Sequence, residues 1–358
     1  MRNFLAKWNT YFAVSSAAFG RLVSQISFYG VRNYESLIGG EYPLSVKFKI
    51  CETEFRKEEQ TFSDPRTGIE LNHTFTNRYY IEIYESIWDT KTGMAFAKQN
   101  RTGISETSSR SEAQLRSTVL PLPAHYLSRD GVYIIMPSNG YYHWLLEDLP
   151  NFLLTQNKFP NSEVLVWEKA PSYVLDFLNA KSIRYTFSKR FEEISQVNIL
   201  SKGSDSGWNS KQDVSVLRNS ILTTQAKGIL EEKIYISRRN STRSPKWEQA
   251  LIELLTVDGW NVIESESMDL MTQFNRVGNA KVICGVHGAG LANMITLSPG
   301  SVVIELGGSS FRRCFVSLAT ACDLSYIRLE FRDSDNRDVF RVAGEINLQI
   351  SKVLSCSN

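Results

Sequence analysis

From residue 233 onward, short apolar runs alternate with amphipathic segments of one to three turns. This rhythm constrains the fold more than any other feature of the chain. Strand-like runs fall at 233–237, 261–263, 281–284, 302–306 and 325–329, and helical segments at 245–255, 270–278, 288–295 and 311–319 lie between them. Strands that alternate with helices need crossover connections, which predicts a parallel sheet with helices on both faces. Such a sheet takes ligands outside the carboxyl ends of its strands. The loops at those ends, 237–243, 285–290 and 307–310, are rich in Gly, Ser, Arg and His, as an anion site requires.

The first half is less regular. Strand-like pieces occur at 42–51 and 79–84, a polar, turn-rich stretch at 56–72, and a Ser/Thr/Arg/Gly-rich surface loop at 92–115. A strand at 131–136 stops at Pro137, and a helix at 142–149 follows, bent at Pro150 or continuing past it after a kink. A strand at 164–167, a short helix at 172–179 and a strand at 194–200 come next. Residues 201–211 read as a boundary, and a helix at 217–230 as a link between two lobes. The expected organisation is an amino-terminal extension (1–115) partly joined to an α/β lobe (116–215), a second α/β lobe (216–332), and a terminal segment (333–358) packing back on the first lobe.

A net charge of +2 argues against a dedicated nucleic-acid binder. The five cysteines, Cys51, Cys284, Cys314, Cys322 and Cys356, are scattered and odd in number, which favours a reducing compartment and disfavours structural zinc. Cys314 and Cys322 read as core residues. No run of eighteen apolar residues is present, so no spanning helix is expected. Residues 2–28, with Arg2, Lys7 and Arg21, read as a packed terminal helix, with membrane-surface attachment as the minority reading. Their apolar stretch is too weak for a signal peptide.

Two motifs carry the chemistry. Gly285-Val286-His287-Gly288-Ala289-Gly290 follows an apolar strand and opens a helical segment. Its glycines permit close backbone approach, and unpaired N–H groups at a helix start suit a diphosphate. It has neither a Gly-Lys-Ser/Thr sequence nor the dinucleotide fingerprint. The bland alternative is a tight turn capped by His287. Arg238, Arg239 and Arg243 follow the first strand of this half. Guanidinium forks match phosphate oxygens, and Arg238 and Arg243 are expected to face the ligand, although such a cluster is also common on solvated surfaces. Glu305 ends a strand, where it can bind ribose hydroxyls or cap the next helix. Asn293 serves a ligand or the local backbone.

The second motif runs from Gly140 through His143, Trp144, Glu147 and Asp148 to Pro150. His143 and Glu147 are four positions apart and share a helix face, so one orients the other or both touch a hydroxyl. Asp148 points about 100° further round the helix. The bland reading makes this an acid-rich surface helix. A metal site is disfavoured because no third ligand is evident.

Together these residues resemble the family-61 glycosyltransferases, inverting enzymes that use nucleotide sugars; bacterial members include capsular polysaccharide biosynthesis proteins. The resemblance rests on Tyr141–Pro150, on Ser237, Arg238 and Arg243, on Gly285 through Asn293, and on Pro299, Gly300 and Glu305, spanning about residues 120–330. It implies an α/β GT-B fold, two Rossmann-like lobes facing across a cleft. Arg238, Arg243, His287, Gly288, Ala289 and Gly290 would hold the donor diphosphate without a metal or other cofactor. Glu305 and Asn293 would hold ribose or sugar. Inversion needs a base for the acceptor hydroxyl, with Glu147 as first candidate, His143 second and Asp148 third.

The partners so implied are a nucleotide sugar and an oligosaccharide or lipid-linked glycan, not nucleic acid; peripheral membrane contact and a homo-oligomer stay open. The expected location is the bacterial cytoplasm, peripheral to the inner membrane at most. A hydrolase or phosphotransferase lacks the nucleophile elbow or paired metal carboxylates it would need. A non-catalytic sugar-nucleotide-binding or scaffold protein would bury His143 and Glu147 as packing residues.

Overall fold

The computed structural model describes residues 31–32, 47–52, 58–63, 70–75, 78–97, 103–104, 107, 126–201, 206–222, 231–241, 244–308, 312–330 and 338–356. The strands of the amino-terminal half are β1 (Val31–Arg32), β2 (Lys47–Glu52), β3 (Glu58–Ser63), β4 (Glu70–Phe75), β5 (Tyr80–Asp89), β6 (Met94–Ala97), β7 (Gly103–Ile104), β8 (Leu127–Met136), β9 (Glu163–Trp167), β10 (Tyr185–Ser188) and β11 (Phe191–Leu200). Nine of them form one sheet in the order β1-β7-β6-β5-β11-β8-β9-β10, with β2 on β5 as well. The sheet is mixed. β8, β9 and β10 run parallel, whereas β11 pairs antiparallel with β5. β3 and β4 make a separate antiparallel hairpin. The amino-terminal lobe is therefore not a purely parallel Rossmann-like sheet, and the extension 1–115 supplies β1, β2, β5, β6 and β7 to it.

The carboxyl-terminal sheet contains β12 (Glu231–Ser237), β13 (Asn261–Glu264), β14 (Ala280–Val286), β15 (Val302–Gly307) and β16 (Ser325–Glu330), in the order β13-β12-β14-β15-β16. Every pair is parallel. The chain steps from β12 outward to β13, then crosses back to β14. The gap between β12 and β14 is thus the topological switch point, where ligands of such sheets sit.

Helices pack on these sheets: α1 (Tyr141–His143), α2 (Leu149–Lys158), α3 (Ser172–Ala180), α4 (Lys211–Leu222), α5 (Glu248–Val257), α6 (Leu270–Gly278), α7 (Cys314–Ala321) and α8 (Asp338–Cys356). A π-turn over Trp144–Asp148 joins α1 to α2, and Pro150 sits in the first turn of α2, where its missing N–H costs nothing.

Strand periodicity explains how the two halves join. Alternate residues of β8 face opposite sides: Tyr133 and Ile135 enter one core with Ile81 and Trp88, while Ile134 and Met136 enter another. That second core also takes Ile234 and Ile236 of β12 and Ile283 of β14, so one apolar cluster runs through both halves. Between the sheets lie the π-turn, α2, α4, α6 and a 3₁₀ helix over Ala289–Thr296. The far face of the carboxyl-terminal sheet is covered by α5 and α8, through Leu251, Leu255, Val342 and Ile346.

Three expectations are corrected. α8 packs on α5, β15 and β16, so the terminal segment covers the carboxyl-terminal lobe and does not return to the first. The segment after His287 is wound as a 3₁₀ helix, with Leu291–Thr296 all buried. The linking helix begins at Lys211, the last residue of the region read as a boundary, and its described part ends at Leu222. Residues 2–28 and most of 92–115 lie outside the described residues, and Cys51 falls within β2. Among the described residues no helix is long and apolar enough to cross a membrane.

Candidate active site

β12 ends at Ser237, and the next residue, Arg238, reaches across the switch point: its guanidinium donates to the carbonyl of His287, which follows the end of β14. The Arg238 amide donates to Glu248 at 2.7 Å, which fixes the backbone at this exit. Arg239 points the other way and pairs with Glu264. Arg243 lies outside the described residues. At Gly288 the constraint is space, not an unusual φ, and the arginine would have to shift to admit a side chain. A Cβ there would stand 2.6 Å from the Arg238 guanidinium.

His287 is oriented by a carboxylate. Its Nδ1 lies 2.6 Å from Glu305 Oε1 at the end of β15, and its ring is about a third exposed, at 35%. Glu305 itself is 1% exposed. Its other oxygen accepts from the Tyr326 hydroxyl, and the buried Arg328 stands 4.0 Å away. Burial pushes the Tyr326 phenol far above its ordinary range, as does the neighbouring Glu305, so it stays a donor. Glu305 is thus occupied in holding the histidine, and its burial removes it from the ribose contact expected from sequence. Asn293 is fully buried. It accepts from Tyr141 at 2.5 Å and donates to Gln273 at 3.1 Å, which ties the 3₁₀ helix to α1. Ala289 is exposed, and Gly290 packs against Ile236.

The second motif forms a matching pair. His143 Nδ1 lies 2.9 Å from Glu147 Oε2, with the His143 side chain 33% exposed and that of Glu147 9% exposed. The other Glu147 oxygen accepts from Ser206 Oγ at 2.7 Å and from the Gly207 amide at 2.9 Å. The π-turn widens the helix so that Trp144, Leu145, Leu146 and Asp148 are buried while Glu147 turns to this loop. π-turns of this kind are frequent at functional sites. Asp148 is 5% exposed and accepts from Asn139 at 2.6 Å, beside a small cavity it shares with Trp88, Asn151 and Asn198. Asp148 thus holds Asn139, whereas Glu147 holds His143.

An aromatic bridge brings the pairs together. Tyr142 meets His143 edge-on at 5.4 Å and Phe315 at 5.7 Å, and Phe315 meets His287 at 5.2 Å. Burial raises the Tyr142 phenol well above its usual range, with Cys314 and Glu147 adding to the shift. Its hydroxyl therefore stays neutral and accepts from Asn209 at 3.1 Å. Among the described residues no group of three or more His, Cys, Asp or Glu side chains is arranged to hold a metal ion.

Sequence reasoning did not find Ser206, Gly207, Phe315 or Tyr326. Gly207 has φ +92°, a conformation that favours glycine, and it stands in a stretch that read only as a boundary. Phe315 and Tyr326 sat in expected elements and carried no motif.

Two carboxylate-oriented histidines, one of them beside the switch point with an arginine, thus stand at the two ends of the aromatic bridge. Residues 141–304 match the family model described as Glycosyltransferase 61. The matched segment starts at the first residue of α1 and stops one short of Glu305. This identifies the chain as a glycosyltransferase carrying a family-61 domain. No curated protein matches the chain.

Proposed function

We propose that this glycosyltransferase inverts the anomeric centre, taking a sugar from a nucleoside-diphosphate donor, with uridine as the favoured base, to a glycan hydroxyl in surface or capsular polysaccharide synthesis. The observation that carries the proposal is the convergence of His143–Glu147 and His287–Glu305 on the Tyr142–Phe315 bridge. In a GT-B-type reading, the carboxyl-terminal sheet binds the donor and α1 with the π-turn borders the acceptor.

In this reaction the acceptor oxygen bonds to the anomeric carbon as the bond to the β-phosphate oxygen breaks. The hydroxyl proton passes to His143, and the bonding pair leaves on the diphosphate. Geometry favours His143 over Glu147 as base, because both Glu147 oxygens are engaged and the histidine ring is the more exposed group. Glu147 stabilises the imidazolium that forms, since Nδ1 already points to it. His287, Arg238 and the backbone of 288–290 meet the charge on the leaving diphosphate, with no metal required. In an assay with UDP-, GDP- and CMP-sugars and oligosaccharide acceptors, proton NMR should show one donor consumed and the product anomer inverted. A product of retained configuration would overturn the mechanism. Consumption of no donor would overturn the assigned donor class.

A further inference from the structure

The β3–β4 hairpin lies outside the matched family segment, yet it reaches the loop that holds Glu147. Trp208 follows Gly207 directly. The His73 ring of β4 stacks on the Trp208 indole at 4.0 Å with planes 6° apart, and the Arg313 guanidinium lies over the indole at 4.4 Å. Phe62 of β3, only 1% exposed, tilts against the same indole at 5.2 Å. On the other side of the loop, Glu58 of β3 accepts from the Lys211 amide at 3.1 Å, at the start of α4. Asn209 completes the attachment: its amide donates to Ser317 Oγ at 2.9 Å and its side chain to the Cys314 carbonyl at 3.2 Å. The loop 206–211 is thus gripped by the hairpin at two points and by α7 between them.

We propose that this hairpin is a positioning element for the acceptor-side pair, and that His73 and Trp208 are positioning residues for the transfer reaction. By holding Trp208, the hairpin keeps Ser206 Oγ and the Gly207 amide on Glu147, and through Glu147 it sets the His143 ring. Neither residue needs to touch substrate. The functional half of the inference rests on the proposed transfer reaction; the structural half, loop to carboxylate, does not.

The experiment uses the full chain as wild type, His73→Ala, His73→Phe and Trp208→Ala, with two readouts. Native-state hydrogen exchange at the Gly207 amide reports the loop directly. It should quicken in His73→Ala and Trp208→Ala and return toward wild type in His73→Phe, which restores the stacking. In the transfer assay, kcat should fall about fivefold to tenfold in His73→Ala, the scale of one lost aromatic pair. The donor KM should stay within twofold, and His73→Phe should recover the rate. Exchange at Gly207 unchanged in both alanine variants would overturn the proposal whether or not activity is found. Quickened exchange with unaltered kcat would overturn the functional half alone. Equal losses in kcat and donor affinity, without rescue by phenylalanine, would show general destabilisation and overturn it too.

Discussion

At the scale of the residue, the site pairs partly exposed histidines with sheltered carboxylates. His143→Ala is expected to lower kcat by about 10²- to 10⁴-fold, the usual contribution of a positioned base, while nucleotide affinity stays unchanged by calorimetry. Glu147→Gln keeps an acceptor oxygen near Nδ1 but removes the charge, so a smaller loss is expected. A larger loss in Glu147→Gln than in His143→Ala would return the base to Glu147. Gly288→Ala tests the donor side by space alone, since its Cβ would fall 2.6 Å from the Arg238 guanidinium. Displacing that group should weaken nucleotide binding at least tenfold, whereas an unaltered Kd would remove Arg238 from the diphosphate contact. The histidines were legible because each stands in a dense motif. The contact of His143 with Glu147 was legible from their spacing, whereas that of His287 with Glu305 was not. Whether Glu305 faces a ribose or a histidine depends on burial, which strand position alone does not fix.

At the scale of the element, β12 to β16 could be read because parallel strands buried on both faces are continuous apolar runs. β8 shows the limit. Its second half, Tyr133–Met136, is buried and was visible, but most of Leu127–Val132 is exposed and carries no such signal. The β3–β4 hairpin was missed for a related reason. Its buried Phe62 and Phe75 stand among Glu, Thr and Asn, and Phe62 finds its partner Trp208 far along the chain. The apolar residues of Ala289–Thr296 marked a buried helical segment but not its 3₁₀ winding. A capping prediction belongs here as well. Asp269 accepts from the Thr272 amide at 3.0 Å at the start of α6, and hydrogen bonds from Thr272 hold its carboxyl below the ordinary range. Asp269→Ala should cost about 1 kcal/mol in denaturant unfolding at neutral pH. The folded-state pKa is depressed, so the ionised carboxylate contributes fully above the unfolded-state value. The gap between wild type and variant should therefore close as pH falls through the folded-state value. A gap that widens on acidification would contradict this role.

At the scale of the molecule, the described strands before residue 98 are part of the architecture. Arg78, buried at 5% exposure, donates to Asn151 of α2 at 2.7 Å and pairs with Asp213 of α4 at 2.7 Å. It braces these two helices to each other from a position just before β5. Arg78→Ala should lower global stability by about 3 kcal/mol, since it strands polar partners in a mostly buried setting; a loss under about 0.5 kcal/mol would show that the strut is slack. The thiols report two cores, Cys314 and Cys322 the one shared by both halves and Cys284 the far face of the carboxyl-terminal sheet. Burial pushes Cys314 and Cys322 up to about 12 and Cys284 higher still. All three should resist alkylation at neutral pH in the native state and label on unfolding, as followed by peptide mass spectrometry. Rapid native labelling of Cys284 would mean that the carboxyl-terminal sheet opens without global unfolding.

The central claim is that the two histidine–carboxylate pairs serve opposite sides of one transfer. Calorimetric titration of UDP, GDP and CMP into wild type, His287→Ala and His143→Ala tests it most directly. One nucleotide should bind the wild type, with affinity reduced at least tenfold in His287→Ala and within twofold of wild type in His143→Ala. Equal weakening in both variants, or nucleotide binding that ignores His287, would contradict the division of the site into a donor side and an acceptor side.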